Sequence, residues 1–227
     1  MAALYSGEPK KLDFLSHLEE IRRRLLIIIA FFAVIAVVIF ANGDFFFTIV
    51  RKPLQEITSD LIFIGPTEAF ASYLKIAFLF AFVITFPFIL FHLWAFLHPA
   101  FSKAFKKRIF IWLTFAMFLF YGGILFAYYM AIPAALNFLI KFGQGIAEPM
   151  ITLGKYVSFC GALIMVGGIV FLIPVLIGLL ADAEIIKTEL LRKKRPHMII
   201  AILVFAAVIT PTQDIVNLLM FALPMLL

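Results

Sequence analysis

Charged residues are scarce in this chain. Asp, Glu, Lys and Arg together make up 14% of its 227 residues, whereas 65% of the residues are hydrophobic. Soluble domains contain about 25% charged and about 45–50% apolar residues, so this chain lacks the polar side chains that cover a water-facing surface. The composition excludes an ordinary soluble protein and indicates an integral membrane protein with one membrane domain.

Cysteine and recognisable catalytic motifs are also nearly absent. The single cysteine, Cys160, lies inside an apolar run, so no disulfide framework or thiolate metal cluster is expected, and its predicted role is packing. Neither H-E-x-x-H nor G-x-S-x-G occurs. His92 and His98 are six residues apart and therefore on different helix faces, which argues against a shared metal and favours packed or interfacial side chains. The sequence argues against an enzyme.

Six apolar windows without a charged residue predict six membrane-spanning helices. A helix needs about 20 apolar residues to cross a ~30 Å hydrocarbon core, and the first four windows supply them. The last two are short and are separated by a turn that contains Pro211 and Asp214, so they are predicted to form a shallow hairpin with Asp214 as a helix cap. The windows are 25–43, 76–102, 109–140, 156–181, 196–213 and 215–227.

Lysine and arginine are unevenly distributed between the two sides of the predicted bundle. The amino-terminal tail, the loop after the second window and the loop after the fourth hold five, four and five of them, or 14 of the 19. The positive-inside rule therefore predicts that both termini are cytoplasmic. These bases form clumps between apolar runs and do not alternate with exposed aromatics, so nucleic acid is not an expected partner.

The two ends of the chain give further expectations. The first 24 residues carry charges of both signs and are followed by no small-residue cleavage site, so the first helix is expected to remain as an anchor. The chain stops at Leu227, inside the last apolar window. A cytoplasmic tail is therefore expected to have been truncated.

Residues 44–73 form the only long predicted segment on the outer side. They mix apolar residues with proline and glycine, a pattern unlike a polar linker, so the segment is expected to fold back on the membrane. Thr67 and Glu68 have the pattern of a helix start, with the Thr67 hydroxyl as N-cap and the Glu68 carboxylate favoured by the helix dipole. The second membrane helix is predicted to begin there.

A series of short motifs follows along the chain in a fixed order. The first, His17 to Leu25, reads HLEEIRRRL and directly precedes the first apolar helix. The later motifs are Lys52-Pro53-Leu54, Pro66-Thr67-Glu68, Trp94-Ala95-Phe96 to Pro99-Ala100, Phe126-Ala127-Tyr128, Arg192-Lys193-Lys194-Arg195-Pro196, and Thr210-Pro211 with Asp214. Collinear over residues 12–227, they resemble the TatC family, the multi-spanning receptor subunits of the twin-arginine protein translocase.

The resemblance implies both a fold and a function. The fold is an all-α membrane protein with six transmembrane helices. Such a protein binds the paired-arginine signal peptides of folded cargo and recruits single-span partners of the TatA and TatB type into an oligomeric translocase. It lies in the cytoplasmic (inner) membrane, and no cofactor is implied. Residues 1–24 become the cytoplasmic segment with the recognition motif, and 25–227 a single membrane domain.

The resemblance also assigns site residues. Two guanidinium groups arriving at a membrane surface need carboxylates that accept paired hydrogen bonds, and Glu20 matches the family's amino-terminal carboxylate. The signal-peptide site is assigned to Leu18, Glu19, Glu20, Arg22, Phe96, Lys103 and Phe105. Partner-binding or structural roles are assigned to Pro53, Glu68, Tyr128, Leu172 and Asp214.

The chain departs from the family pattern at two positions. Phe105 stands where the family usually has a second acidic residue in the first cytoplasmic loop, and an aromatic ring can stack on a guanidinium but cannot neutralise it. Leu172 stands two residues before Pro174, where the family tends to carry a buried glutamate. Signal-peptide affinity and partner docking are both expected to differ from the family norm.

Other interpretations of these residues stay open. Glu19 and Glu20 also suit a solvated juxtamembrane helix whose neighbouring arginines meet anionic lipid. Pro53 also suits a simple turn, Tyr128 an interfacial anchor, and Asp214 a cap alone. The main alternative function is a small-solute secondary transporter or channel, which usually carries ionisable residues at membrane depth, and the six windows contain none. A structural anchor is a third class.

Overall fold

The computed structural model describes residues 9–55, 61–97, 103–143 and 150–183, and the side chains of 9–17, 97 and 103–105 lie outside this description. These residues form helices and two very short strands. In chain order the elements are α1 Pro9–Ala41, α2 Gly43–Gln55, β1 Leu61–Ile62, α3 Pro66–Leu97, α4 Lys103–Phe126, a π-helical turn Ala127–Ala131, α5 Ile132–Gly143, β2 Ile151–Thr152 and α6 Leu153–Asp182.

Four helical stretches of the described residues are long and apolar enough to cross a bilayer. They are Leu18–Ala41, Pro66–Phe96, Lys106–Gly143 and Leu153–Asp182, and they correspond to the first four predicted windows. The last two predicted windows, with Asp214 and the proposed hairpin, lie outside the described residues. The fold shown is therefore an all-helical membrane bundle with four candidate spans.

One end of the bundle, here called the cap end, carries α2 and the two strands. β1 and β2 pair in parallel, Leu61 with Ile151 and Ile62 with Thr152. Each strand leads within a few residues into a long helix, so α3 and α6 start at the same end and run side by side in the same direction. The apolar side of α2 is buried at Val50 and Leu54, so this helix packs over the end of the bundle. That the segment folds back on the membrane stays a prediction.

Helices α4 and α6 make backbone contact at a pair of glycines. A Cβ added to Gly123 would lie 2.3 Å from the Gly167 carbonyl oxygen, and one added to Gly167 would lie 2.6 Å from the Gly123 carbonyl oxygen. Small residues permit this kind of close packing between membrane helices. The core then continues along α6, where Tyr156, Cys160 and Leu163 are buried, and the predicted packing role of Cys160 is confirmed.

The third apolar window is helical throughout but is not a regular α-helix. The N–H of Ile132 donates to the carbonyl of Ala127, five residues back, and the π-helical turn lies just before Pro133. Proline has no N–H and its ring displaces the carbonyl four residues earlier, so a wider turn relieves the clash. π-turns re-aim the side chains that they carry, and this one carries Tyr128.

Candidate functional site

The end of the bundle opposite the cap, here called the basic end, contains a cavity beside the extension of α1. Helix α1 has 33 residues, about 50 Å at ~1.5 Å per residue, so it projects beyond a ~30 Å hydrocarbon core and continues through the charged motif. The cavity measures about 550 Å³, and its lining includes Glu19, Glu20, Arg23, Arg24, Ile27 and, from α3, His92.

Glu20, the carboxylate singled out in the sequence, is engaged with an arginine of its own helix. Arg24 Nε donates to Glu20 Oε1 at 2.9 Å, and the two residues form an ion pair one helical turn apart. The Arg24 guanidinium also donates to the backbone carbonyl of Ala95 at 3.3 Å. Arg24 thus positions Glu20 and fastens α1 to the end of α3, while 34% of the Glu20 side chain stays exposed.

His92 lies in the cavity wall, a position that sequence reasoning missed. Its ring meets Phe88 and Phe91 edge-on, which agrees with the predicted packing, but it also faces the acidic and basic groups of α1. Its Nδ1 atom is buried and has no hydrogen-bond partner among the described residues. The only available signal was its place two residues before the Trp94-Ala95-Phe96 motif.

The remaining predicted signal-peptide residues are spread around this end. Glu19 borders the cavity and also a second, more open groove of about 630 Å³, which Arg22 lines with Arg23. Leu18 is exposed on α1, and Phe96 is half-buried near the end of α3. Lys103 and Phe105 lie in the first turn of α4, and their side chains are outside the described part of the chain.

Pro53 and Tyr128, which the sequence suggested separately, are joined through one carbonyl group. Pro53 lies inside α2 and is buried, so it does not simply turn the outer segment. Because proline has no N–H, the carbonyl of Ile49, four residues earlier, lacks its helical donor. The Tyr128 hydroxyl donates to that carbonyl at 2.7 Å, which is a more specific role than an interfacial anchor.

A second tyrosine reinforces the same contact. The hydroxyl of Tyr156, a buried residue of α6, donates to the carbonyl of Val50 at 2.7 Å. Sequence reasoning did not single out Tyr156, because its partner lies 106 residues away. The two tyrosines thus fasten α2 to the bundle through backbone carbonyls one helical turn before Pro53.

Glu68 ties the starts of α3 and α6 together. Its carboxylate accepts the N–H of Ile64 at 2.8 Å and the N–H of Gly154 at 2.7 Å. The predicted position of the helix start is confirmed to within a residue, but the predicted cap is wrong. Helix α3 begins at Pro66 and the Gly65 carbonyl accepts the first helical N–H, from Glu68, so Thr67 already lies inside the helix. A proline in the first helical position explains the shift, since its missing N–H costs nothing there.

Leu172 and Asp214 are the remaining residues to which the sequence assigned partner-binding or structural roles. Leu172 is half-buried on α6, two residues before Pro174 in the same helix. Its side chain is apolar, so it offers a partner helix no hydrogen bond at this depth. Asp214 lies outside the described residues.

Comparisons with known proteins identify the family. Residues 16–224 match the family described as Sec-independent protein translocase protein (TatC). The proteins of that name from Carboxydothermus hydrogenoformans and Koribacter versatilis are each 34% identical to this chain, over 97% and 96% of its length and 90% and 82% of theirs. A crystal structure of the twin-arginine translocase receptor TatC in DDM superposes with a TM-score of 0.79 at 32% identity, covering 92% of this chain and 94% of that one. The collinear motifs, the helical bundle and these matches agree, and the chain belongs to the TatC family of protein translocase subunits.

Proposed function

We propose that this chain is the signal-peptide receptor of a twin-arginine translocase and binds paired-arginine signal peptides at the basic end. The observation that carries the proposal is the cavity in which Glu19 and Glu20 lie at the projecting end of α1. A carboxylate accepts charge-assisted hydrogen bonds from a guanidinium in a planar, bidentate arrangement. A signal-peptide arginine can donate such hydrogen bonds to the Glu20 carboxylate.

Arg24 competes with the signal peptide for the Glu20 carboxylate. A carboxylate has about four acceptor positions, and Arg24 uses part of this capacity at Glu20. A signal-peptide arginine therefore shares Glu20 with Arg24 or displaces it, and a displaced Arg24 keeps the Ala95 carbonyl as a partner. Since Phe105 replaces the second carboxylate of the family pattern, Glu20 carries most of the recognition in this proposal.

The orientation proposed for the chain places the basic end in the cytoplasm. Support comes from the 14 of 19 basic residues on one predicted side and from Arg22, Arg23 and Arg108 at the basic end of the described helices. In this arrangement residues 1–24 are the cytoplasmic recognition segment, and 25–227 form one six-span domain with both termini inside, in the cytoplasmic (inner) membrane.

The proposed partners are single-span membrane proteins of the TatA and TatB type, with which the chain assembles a non-catalytic translocation site. Membership of the TatC family supports this scaffold role and does not favour the solute carrier or channel. Because Leu172 replaces the intramembrane glutamate of the family pattern, docking at that place on α6 rests on shape and apolar packing. Co-purification of single-span partners and signal-bearing cargo separates the two functions, since a carrier moves solute alone in liposomes.

The test of the receptor function is binding of a paired-arginine peptide to purified protein in detergent at two salt concentrations. Glu20→Ala should weaken binding about tenfold, the lower end for a charged hydrogen bond of roughly 1.5–3 kcal/mol, because the site is partly exposed. Glu19→Ala is the matched control, since it removes the same charge from the same cavity.

A second variant tests the competition at Glu20. Arg24→Gln removes the internal partner of the carboxylate and should tighten binding of the paired-arginine peptide, whereas Arg23→Gln, which removes a charge from the same cavity, should change it less. A lysine-pair peptide should bind more weakly in each case. Equal losses for both glutamate variants that vanish at high salt would show a general charged surface instead of a site.

A further inference from the structure

An apolar groove between α1, α3 and α6 lies apart from the basic-end cavity. It measures about 470 Å³, and its walls include Phe78, Phe82, Gly161, Met165 and, from α1, Phe32. Of the described residues that line it, Lys75 alone is charged, and Ser158 lies beside it. Both are exposed. Neither Lys75 nor Ser158 belongs to a family motif or to the proposed signal-peptide site.

The positively charged end of the groove lies at the edge of the apolar part of the bundle. Lys75 is the last charged residue before the apolar run of α3, and Ser158 lies just past Lys155, the last charged residue before the apolar run of α6. Helices α3 and α6 run in parallel from the cap end, and Lys75 Nζ donates to Ser158 Oγ at 2.8 Å. The ammonium group is therefore at the membrane interface of the cap end.

Polar groups around Lys75 leave it with unused donors. Ser158 donates its own hydroxyl to the Gly154 carbonyl at 2.7 Å and accepts from Lys75, so it uses one of the three ammonium N–H groups. Glu68, the carboxylate nearest along α3, is bonded to backbone N–H groups at the cap. Among the described residues, Lys75 forms no salt bridge. Its charge thus suits an external anion.

The length of the groove distinguishes between a lipid and a helix as its occupant. From Lys75 to Phe82, and likewise from Ser158 to Met165, it spans seven residues, about 10 Å along each helix. This matches part of one leaflet of a ~30 Å core, whereas a partner helix would need a surface that continues across both leaflets. An acyl chain enters such a groove from the side, beneath its own phosphate.

We propose that Lys75, Ser158 and this groove form a binding site for one anionic phospholipid of the leaflet at the cap end. The phosphate accepts hydrogen bonds from the Lys75 ammonium, and one acyl chain lies against Phe78, Phe82 and Met165. Gly161 makes room for the chain, because a Cβ added there would meet, within the described part of the structure, only Leu79 Cδ2, at 3.9 Å. The site is independent of signal-peptide binding and would hold α3 and α6 together at the cap end.

The experiment uses the full chain in phosphatidylcholine nanodiscs that contain a small fraction of phosphatidylglycerol with a photoreactive acyl chain, followed by peptide mapping. Labelling should concentrate on the groove segments of α3 and α6. Lys75→Met should reduce it about fivefold, as expected for one interfacial lysine. Lys155 is an exposed lysine one turn nearer the cap, and Lys155→Met should reduce labelling less.

A second pair of variants tests the groove without touching the charge. Gly161→Leu fills the groove and should abolish labelling of the α6 segment. Gly122→Leu, at a helix position where an added Cβ has no described residue within 4 Å, should leave it unchanged. Thermal unfolding of each variant confirms that it is folded. Equal labelling of wild type and Lys75→Met, or equal labelling by photoreactive phosphatidylcholine, would overturn the proposal. So would loss of labelling when a single-span partner is reconstituted, because a helix would then be the occupant.

Discussion

The groups around Glu20, Tyr128 and Pro53 include backbone carbonyls that lie far away in the sequence. Glu20 is held by Arg24, whose guanidinium also reaches α3. Tyr128 supplies the donor that Pro53 removes from α2. In both cases a side chain, Arg24 or Tyr128, donates to a backbone carbonyl far away in the chain.

The link between Tyr128 and Pro53 is testable by a double-mutant cycle. Tyr128→Phe leaves the Ile49 carbonyl without that donor and should lower the free energy of unfolding by about 1–3 kcal/mol. In a Pro53→Ala background the residue-53 N–H donates to the same carbonyl, so the same change should cost much less. Thermal or denaturant unfolding in detergent measures both.

The control for this cycle is Tyr129→Phe, since Tyr129 is 67% exposed. It should leave stability unchanged in both backgrounds. If Tyr128→Phe were equally costly with and without Pro53, the hydroxyl would serve some other purpose than replacing the missing donor.

At the scale of elements, the described bundle depends on α6. It contacts α4 through paired glycines and α3 through the Glu68 carboxylate. At the basic end Asp182 accepts from Arg108 at 3.0 Å and from Trp112 Nε1 at 3.3 Å. Polar contacts thus fasten this helix near both ends, and close apolar packing holds its middle.

The glycine contact predicts that alanine substitutions at two neighbouring positions change the free energy of unfolding very differently. Gly123→Ala places a Cβ against the Gly167 carbonyl and should destabilise the protein by about 1–3 kcal/mol, as overpacking does. In Gly122→Ala the new Cβ has no atom of the residues that the structure describes within 4 Å. This change should be neutral or stabilising by up to about 1 kcal/mol, because alanine favours helix over glycine. Unfolding in detergent compares them, and equal effects would mean that α4 and α6 are not in backbone contact.

At the scale of the whole molecule, the proposed orientation predicts which side of the membrane each exposed residue faces. Cysteines replacing Lys52 at the cap end and Lys107 at the basic end should react with an impermeant thiol reagent only from outside and only from the cytoplasm, respectively. The native Cys160 is 1% exposed and should stay unlabelled. Labelling of the cysteine at position 52 from the cytoplasm would show that the orientation is the reverse of the one proposed.

The same assay tests the two short spans that the sequence predicts beyond the described residues. A cysteine at Thr188 should be labelled from the cytoplasm and one at Thr212 from outside, because the turn between the short helices is expected there. Labelling of both positions from the same side would mean that the last two apolar windows do not form a membrane hairpin.

The sequence alone determined the properties that depend on local composition. A lack of charged residues over some 20 positions suffices to predict a membrane span, so four helices were found at nearly the right places, and clustered bases predicted the orientation still to be tested. Motif order identified the family and pointed to Glu20. Each of these signals lies within a short stretch of chain and needs no knowledge of neighbours.

Only the tertiary structure decided which distant groups form hydrogen bonds with one another. Tyr128 and Ile49 are 79 residues apart, Glu68 and Gly154 are 86 apart, and Lys75 and Ser158 are 83 apart. The sequence does not identify the backbone partners of Tyr128 and Glu68, because a backbone carbonyl or N–H is present at nearly every position. The π-turn before Pro133 and the glycine contact of α4 with α6 likewise arise from helices meeting in space. Composition places a helix in the membrane, but packing geometry decides which of its polar groups face one another.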